Sequence, residues 1–216
     1  MCYGVISSFH SECGRIYMLH NVGEIEDSPF NISAEELDLF LQKKKVENFV
    51  RLESWTGNAN FRALSIDDVP DGFYNNAFPL FKKYNVPFTI FVAIGLLDTP
   101  GYITTEQLKE ISHSDLCTVG SHGILHGEYC KLSACEREQE LFESKQILEQ
   151  ITNKSVELYA FPYGSIYACG LRHKKDVMKY YKYGFGTIQC PVTKPSPLPY
   201  YYLPRINVSK NNINTI

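Results

Sequence analysis

The chain has 216 residues, room for one good-sized domain and little room for two. Its net charge of −3 offers no basic field for nucleic acid or an anionic membrane. A hydrophobic content of 44% and a charged content of 21% are those of an ordinary globular enzyme, and no run of about 18 apolar residues exists to span a membrane.

The N-terminal stretch MCYGVISSFHSECGRIYMLHN lacks a basic n-region, and polar residues interrupt it from Ser7 onward, so it does not read as a signal peptide. The seven cysteines form no CxxC pair, and their odd number argues against a full disulfide framework. A cytoplasmic location with reduced thiols is therefore expected. With no repeat, low-complexity tract or linker, residues 1–216 are expected to form a single domain. The 15 Tyr and 13 Phe suit either a core or a carbohydrate site.

Short apolar runs rich in Val, Ile and aromatics predict strands at Ile16–Leu19, Arg62–Ile66, Phe88–Ile94, Cys117–Val119, Leu158–Phe161, Phe185–Ile188 and Leu203–Val208. Helix starts are written between them. Ser33-x-x-Glu36, Thr104-x-x-Gln107 and Ser133-x-x-Glu136 each match a capping box, in which side chains satisfy the free N–H groups of the first turn. Leu37, Phe40 and Leu41 follow the first box at helical spacing, and Leu141, Leu148 and Ile151 follow the third. Ala77, Leu80, Phe81 and Tyr84 mark a further helix. Strands alternating with helices predict an α/β fold with a parallel sheet, whose active site gathers at the carboxyl ends of its strands.

The second predicted strand runs into Asp67 and Asp68. Adjacent carboxylates repel, and burying them is costly unless a cation compensates. The fourth runs into GSHGILHGEY, where His122 and His126 would share one face of a helical turn and grip one ion, with Gly120, Gly123 and Gly127 leaving room for close approach. Two His and one carboxylate suit Zn²⁺ with an open position, or a non-haem Fe²⁺ oxygenase. The other carboxylate then stands ready as a general base. The fifth strand ends in YAFPYGS, where Pro162 and Gly164 bend the chain and expose N–H groups to a developing oxyanion. Trp55 stands before the second strand, where its ring can fill the core or stand at a binding site. His10, His113 and His173 have no motif context and are expected at the surface.

Taken in order, these segments resemble the polysaccharide deacetylases (NodB homology, carbohydrate esterase family 4). LSIDDVPDGFYNNAFPLFKKYNVPFTIFV (64–92) resembles the TFDDG motif with its following helix and strand. VGSHGILHGEYCKLS (119–133) resembles SHTxxH, LYAFPYGS (158–165) resembles R-x-P-Y-G, and YYLPRINV (201–208) resembles a closing strand. The resemblance implies one catalytic domain folded as a distorted (β/α) barrel of about seven parallel strands. It implies a metal-dependent hydrolase that removes acetyl groups from N-acetylglucosamine-type saccharides. Asp67 would be the general base. Asp68, His122 and His126 would hold Zn²⁺ or another divalent ion such as Co²⁺, Ni²⁺ or Mn²⁺. The backbone N–H of Tyr163 would receive the oxyanion, with Pro162 and Tyr163 against the substrate.

Three departures from the family pattern stand out. The Gly after the Asp pair is Val69, a poorer residue for a turn. The motif-three Arg is replaced by Ala160, and Arg205 is expected to supply its charge to Asp67 from another strand. The C-terminal general-acid His is missing. His20, in YMLHN, takes that role by resemblance to the deacetylases of poly-β-1,6-N-acetylglucosamine. Val69 and Ala160 also fit a glycan-binding relative without activity, and the same scaffold suits a hydrolase of O-acetyl or other amide substrates. The expected partner is an acetylated saccharide, with no nucleic acid and no membrane span. The oligomeric state is left open.

Overall fold

A computed structural model describes residues 13–23, 28, 30–44, 49–54, 61–170, 174–193 and 199–216. The strands are β1 (Arg15–Leu19), β2 (Asn21–Val22), β3 (Asn31–Ile32), β4 (Arg62–Asp67), β5 (Phe88–Val92), β6 (Cys117–Ser121), β7 (Leu158–Ala160), β8 (Tyr183–Phe185) and β9 (Ile206–Asn207). The helices are α1 (Ala34–Lys43), α2 (Phe78–Tyr84), α3 (Thr105–His113), α4 (Ala134–Thr152) and α5 (Ile166–Cys169). Ser33, Thr104 and Ser133 each form the capping box that the sequence predicts. The predicted helix around Ala77 begins one turn earlier, as a π-helical segment Phe73–Ala77 that runs into α2.

Seven strands form one sheet in the order β8-β7-β6-β5-β4-β1-β9, with every pairing parallel. Each neighbouring pair from β4 to β8 is joined across a helical segment, as parallel pairing requires. The final segment joins the two ends of the sheet. Ile206 and Asn207 pair with Tyr17 and Met18 of β1, while Leu203 bridges Phe185 of β8. The sheet thus curls into the distorted (β/α) barrel. The predicted strand Leu203–Val208 is real but divided between two neighbours, so only its centre counts as regular strand. The predicted strand Phe185–Ile188 sits two residues earlier, at Tyr183–Phe185.

Alternation along the strands separates two cores. Ile16, Ala63, Phe91, Leu158, Phe185 and Leu203 plug the barrel interior. Leu64, Ile66, Ile90 and Val92 point outward and pack with Phe73, Phe81, Leu108 and Leu141 from the helical layer. Because both faces are buried, the strands read as near-continuous apolar runs. The inward parity takes the small, uncharged Ser65 and Thr89 inside the barrel, whereas the carboxylate of Asp67 on that parity stands at the mouth.

Candidate active site

Inward parity builds most of the site. On β4, Ala63, Ser65 and Asp67 share the inner face, and Asp67 stands at the carboxyl end with 3% of its surface exposed. Met18 and then His20 follow Ile16 at the end of β1. His122 follows Gly120 at the end of β6, and Gly120 is small because the Phe91 ring occupies the space of its side chain. Leu203, Arg205 and Asn207 do the same along the closing segment.

Asp68 breaks the alternation. Its φ of +62° and the Val69 N–H to Asp67 carbonyl bond of 2.6 Å form a tight γ-turn that swings its carboxylate into the mouth. Val69 follows at φ +55°, a backbone conformation that β-branched residues avoid, and its side chain is fully buried. His126 (+51°) and Tyr163 (+59°) are also left-handed. Strain thus gathers at this one end of the barrel.

Asp68 Oδ1 lies 3.0 Å from His126 Nε2 and 3.5 Å from His122 Nε2. Each of the three residues offers one ligand atom, and these atoms lie within 4.8 Å of one another. Asp68 Oδ1 is buried, and the two histidine Nε2 atoms are the polar groups it faces. The Nδ1 atom of His122 lies 2.8 Å from the Ala160 carbonyl. As a donor there it leaves Nε2 bare toward Asp68, the tautomer a ligand needs. The donor set therefore fits a divalent cation. The two histidines meet through a loop, however, and the expected helical turn is absent: Gly123 (+80°) and His126 reverse the chain. Gly127 faces open space, so it is not needed for close approach.

Arg205 grips Asp67 with two parallel bonds, Nη1 to Oδ1 at 2.6 Å and Nη2 to Oδ2 at 2.7 Å. Its Nε donates to the Gly186 carbonyl at 3.0 Å, and its side chain is fully buried. Burial alone would raise the Asp67 pKa, but the Arg205 guanidinium, and then His122, hold it below the usual carboxylate value. Burial likewise opposes ionisation of Asp68, yet the His126 hydrogen bond and the nearby histidines bring it down to about 2. His122 is lowered by burial, whereas His126 is raised, first by its hydrogen bond to Asp68.

Asp67, Asp68, His122 and His126 line a pocket of about 410 Å³ together with Met18, His20, Phe30, Phe161, Tyr163, Thr187, Gln189 and Asn207. His20 Nδ1 is buried there without a hydrogen-bond partner, and the ring lies 5.2 Å from Phe30. The Tyr163 ring sits 5.1 Å from His126 and is 61% exposed at the rim. Its N–H donates to no protein acceptor among the described residues. Pro162, expected against the substrate, is buried and does not line the pocket; it shapes the turn instead. Sequence reasoning missed Asn207, whose buried Oδ1 has no donor. Its signal was the two-residue step from Arg205 on the same inward face. Trp55, His10 and His173 lie outside the described residues, and His113 is exposed as expected. Among the described residues, no helix is long and apolar enough to cross a membrane.

Comparison with known proteins agrees with this geometry. A family model described as polysaccharide deacetylase matches residues 56–183. A poly-beta-1,6-N-acetyl-D-glucosamine N-deacetylase of Staphylococcus aureus is 29% identical over 185 residues, covering 79% of this chain and 59% of that protein. The chain thus spans little more than half of that relative. The crystal structure of a polysaccharide deacetylase from Bacillus cereus superposes with a TM-score of 0.82 at 21% identity, over 94% of this chain and 67% of that one. The Streptococcus pyogenes deacetylase PplD, solved in complex with acetate, gives 0.79 at 22% identity, over 92% and 93% of the two chains. At such identities the superpositions speak for the fold.

Proposed function

The chain belongs to the polysaccharide deacetylase family, and from that premise we propose that it is a metal-dependent hydrolase of N-acetylated saccharides, with residues 1–216 forming one catalytic domain. The substrate class is a poly- or oligosaccharide of N-acetylglucosamine, the class named for the Staphylococcus aureus relative. The observation that carries the reading is the placing of a buried, Arg-held carboxylate, Asp67, beside a three-residue cation site in one pocket.

Asp68, His122 and His126 would hold the ion, Zn²⁺ or another divalent metal. When bound, such an ion supplies Lewis-acid polarisation of the acetyl carbonyl and acidifies water. The chain's own groups do the rest. Asp67 takes a proton from the water that attacks the carbonyl carbon. Arg205 keeps Asp67 ionised and aimed, while each carboxylate oxygen retains a further lone pair. The Tyr163 N–H donates to the oxygen on which negative charge develops. His20 gives a proton to the departing nitrogen, the C–N bond breaks, and acetate and a free amine leave. Phe30 and Tyr163 offer partly exposed aromatic faces at the rim for a sugar ring.

The test is acetate release from matched N-acetylglucosamine oligomers, O-acetylated saccharides and small acetamides. Release from the first set alone is expected. Turnover confined to the esters or the small amides would overturn the substrate assignment, and saccharide binding without any acetate would overturn the enzyme.

A further inference from the structure

The loop Gly123–Leu125, which joins His122 to His126, has little apolar anchorage, since Leu125 is 75% exposed. Its shape comes from hydrogen bonds. The Gly123 and Ile124 carbonyls accept from the N–H groups of Ile94 and Gly95, at 3.1 and 2.8 Å. The Gly123 N–H donates to Ser121 Oγ at 3.1 Å, which in turn donates to Ser144 Oγ on α4 at 2.8 Å. The next two N–H groups converge on one side chain of the same helix, Glu140. Ile124 N donates to Oε2 at 2.5 Å and Leu125 N to Oε1 at 3.1 Å.

Glu140 is 6% exposed, and among the described residues no Lys or Arg forms an ion pair with it. A buried carboxylate without a cation is retained only where its hydrogen bonds compensate. The two N–H groups are met by separate oxygens of one side chain, which a carboxylate supplies and an amide cannot. Its fit against the loop is close. A side chain at Gly123 would meet Glu140 Oε2 at 2.3 Å, and the Gly123 φ of +80° itself suits Gly. His126, at φ +51°, needs such over-determination to stay in a left-handed conformation.

The geometry points to Glu140 as the positioning residue of the cation site: its carboxylate clamps the loop between His122 and His126 and sets their separation. This rests on the proposed cation site and adds an anchor that touches neither the ion nor the substrate. The arrangement also places a negative charge one layer behind the histidines, where it favours a dication.

The experiment compares wild type, Glu140→Gln and Glu140→Asp by competition with a chromophoric zinc chelator, with thermal melts of the ion-free proteins alongside. Glu140→Gln keeps the shape but puts an NH₂ group against an N–H. It is expected to bind Zn²⁺ about 10–100-fold more weakly. Its acetate turnover should recover at high Zn²⁺, which loss of fold would not allow. Hydrogen exchange should be slow at Ile124 and Leu125 in the ion-free wild type and fast in Glu140→Gln. Zinc affinity within twofold of wild type in a folded Glu140→Gln would overturn the positioning role. If that variant does not fold, the same twofold criterion applies to Glu140→Asp, whose shortened carboxylate is expected to weaken zinc binding. A wild type that binds no divalent cation would overturn the cation site as well.

Discussion

Asp67 stays charged in a buried site because Arg205 faces it with both Nη atoms. Removing the guanidinium leaves that charge uncompensated, so Arg205→Met should destabilise the fold by roughly 3–5 kcal/mol and cut turnover while the cation still binds. Removing the charge as well should restore much of the loss. The double variant Arg205→Met/Asp67→Asn is expected to melt above Arg205→Met alone in urea titration, and equal midpoints would refute the pairing. His20 lines the pocket, and His20→Ala with full turnover would exclude it as the acid. Val69 allows a sharper comparison. Left-handed backbone costs roughly 1–2 kcal/mol at a residue with a side chain, and more where that side chain is β-branched. Val69→Ala gives up buried methyls and keeps the strain, whereas Val69→Gly gives up slightly more and releases it. Thermal melts should therefore find Val69→Gly at least as stable as Val69→Ala, the reverse of the usual order.

At the scale of elements, α4 carries the most responsibility, because its middle holds Glu140 against the ligand loop. Its start is the Ser133 capping box, so Ser133→Ala should cost about 1 kcal/mol, or about 2–4 °C in Tm for a chain of this size. Differential scanning calorimetry reads this directly. The cap was legible in the sequence because a capping box is local: two side chains three residues apart satisfy each other's backbone. Glu140 was not legible. In EREQELFESKQILEQ it looks like its solvated neighbours, although it shares the buried face of Leu141, Ser144 and Leu148. A carboxylate on that face was the available signal. His122 and His126 come together, but not on the expected helical turn, because the geometry comes from two left-handed residues held by the segment after β5 and by α4.

Across the whole molecule, alternation of strands and helices made the parallel sheet readable and the Asp doublet marked the end that carries the site, while the barrel followed from the family resemblance. Closure of the ring was harder to read, since residues 203–207 divide their bonds between β8 and β1, and pairing so distant in sequence leaves little local trace. The charges at this mouth link stability to pH. A depressed carboxylate stabilises the fold above its unfolded pKa and loses that contribution as pH falls through the folded value. For Asp68 in ion-free protein that window runs from 3.8 down to about 2. Circular dichroism should show wild type losing stability more steeply there than Asp68→Asn. His126 is raised, so as pH drops cation affinity should begin to fall above the usual histidine value, uptake below that point releasing a proton. At a hundredfold excess over Kd, a bound ion adds about 2.7 kcal/mol, or about 5–10 °C in Tm, which chelator should reverse.

The most direct test of the central claim, a carboxylate base standing beside a separate cation site, pairs two readings on the same samples. Wild type and Asp67→Asn are stripped, reloaded with Zn²⁺, and measured for bound metal and for acetate released from N-acetylglucosamine oligomers. Equal metal in both and acetate from the wild type alone are expected. Loss of metal in Asp67→Asn, or acetate release at the wild-type rate, would contradict that claim.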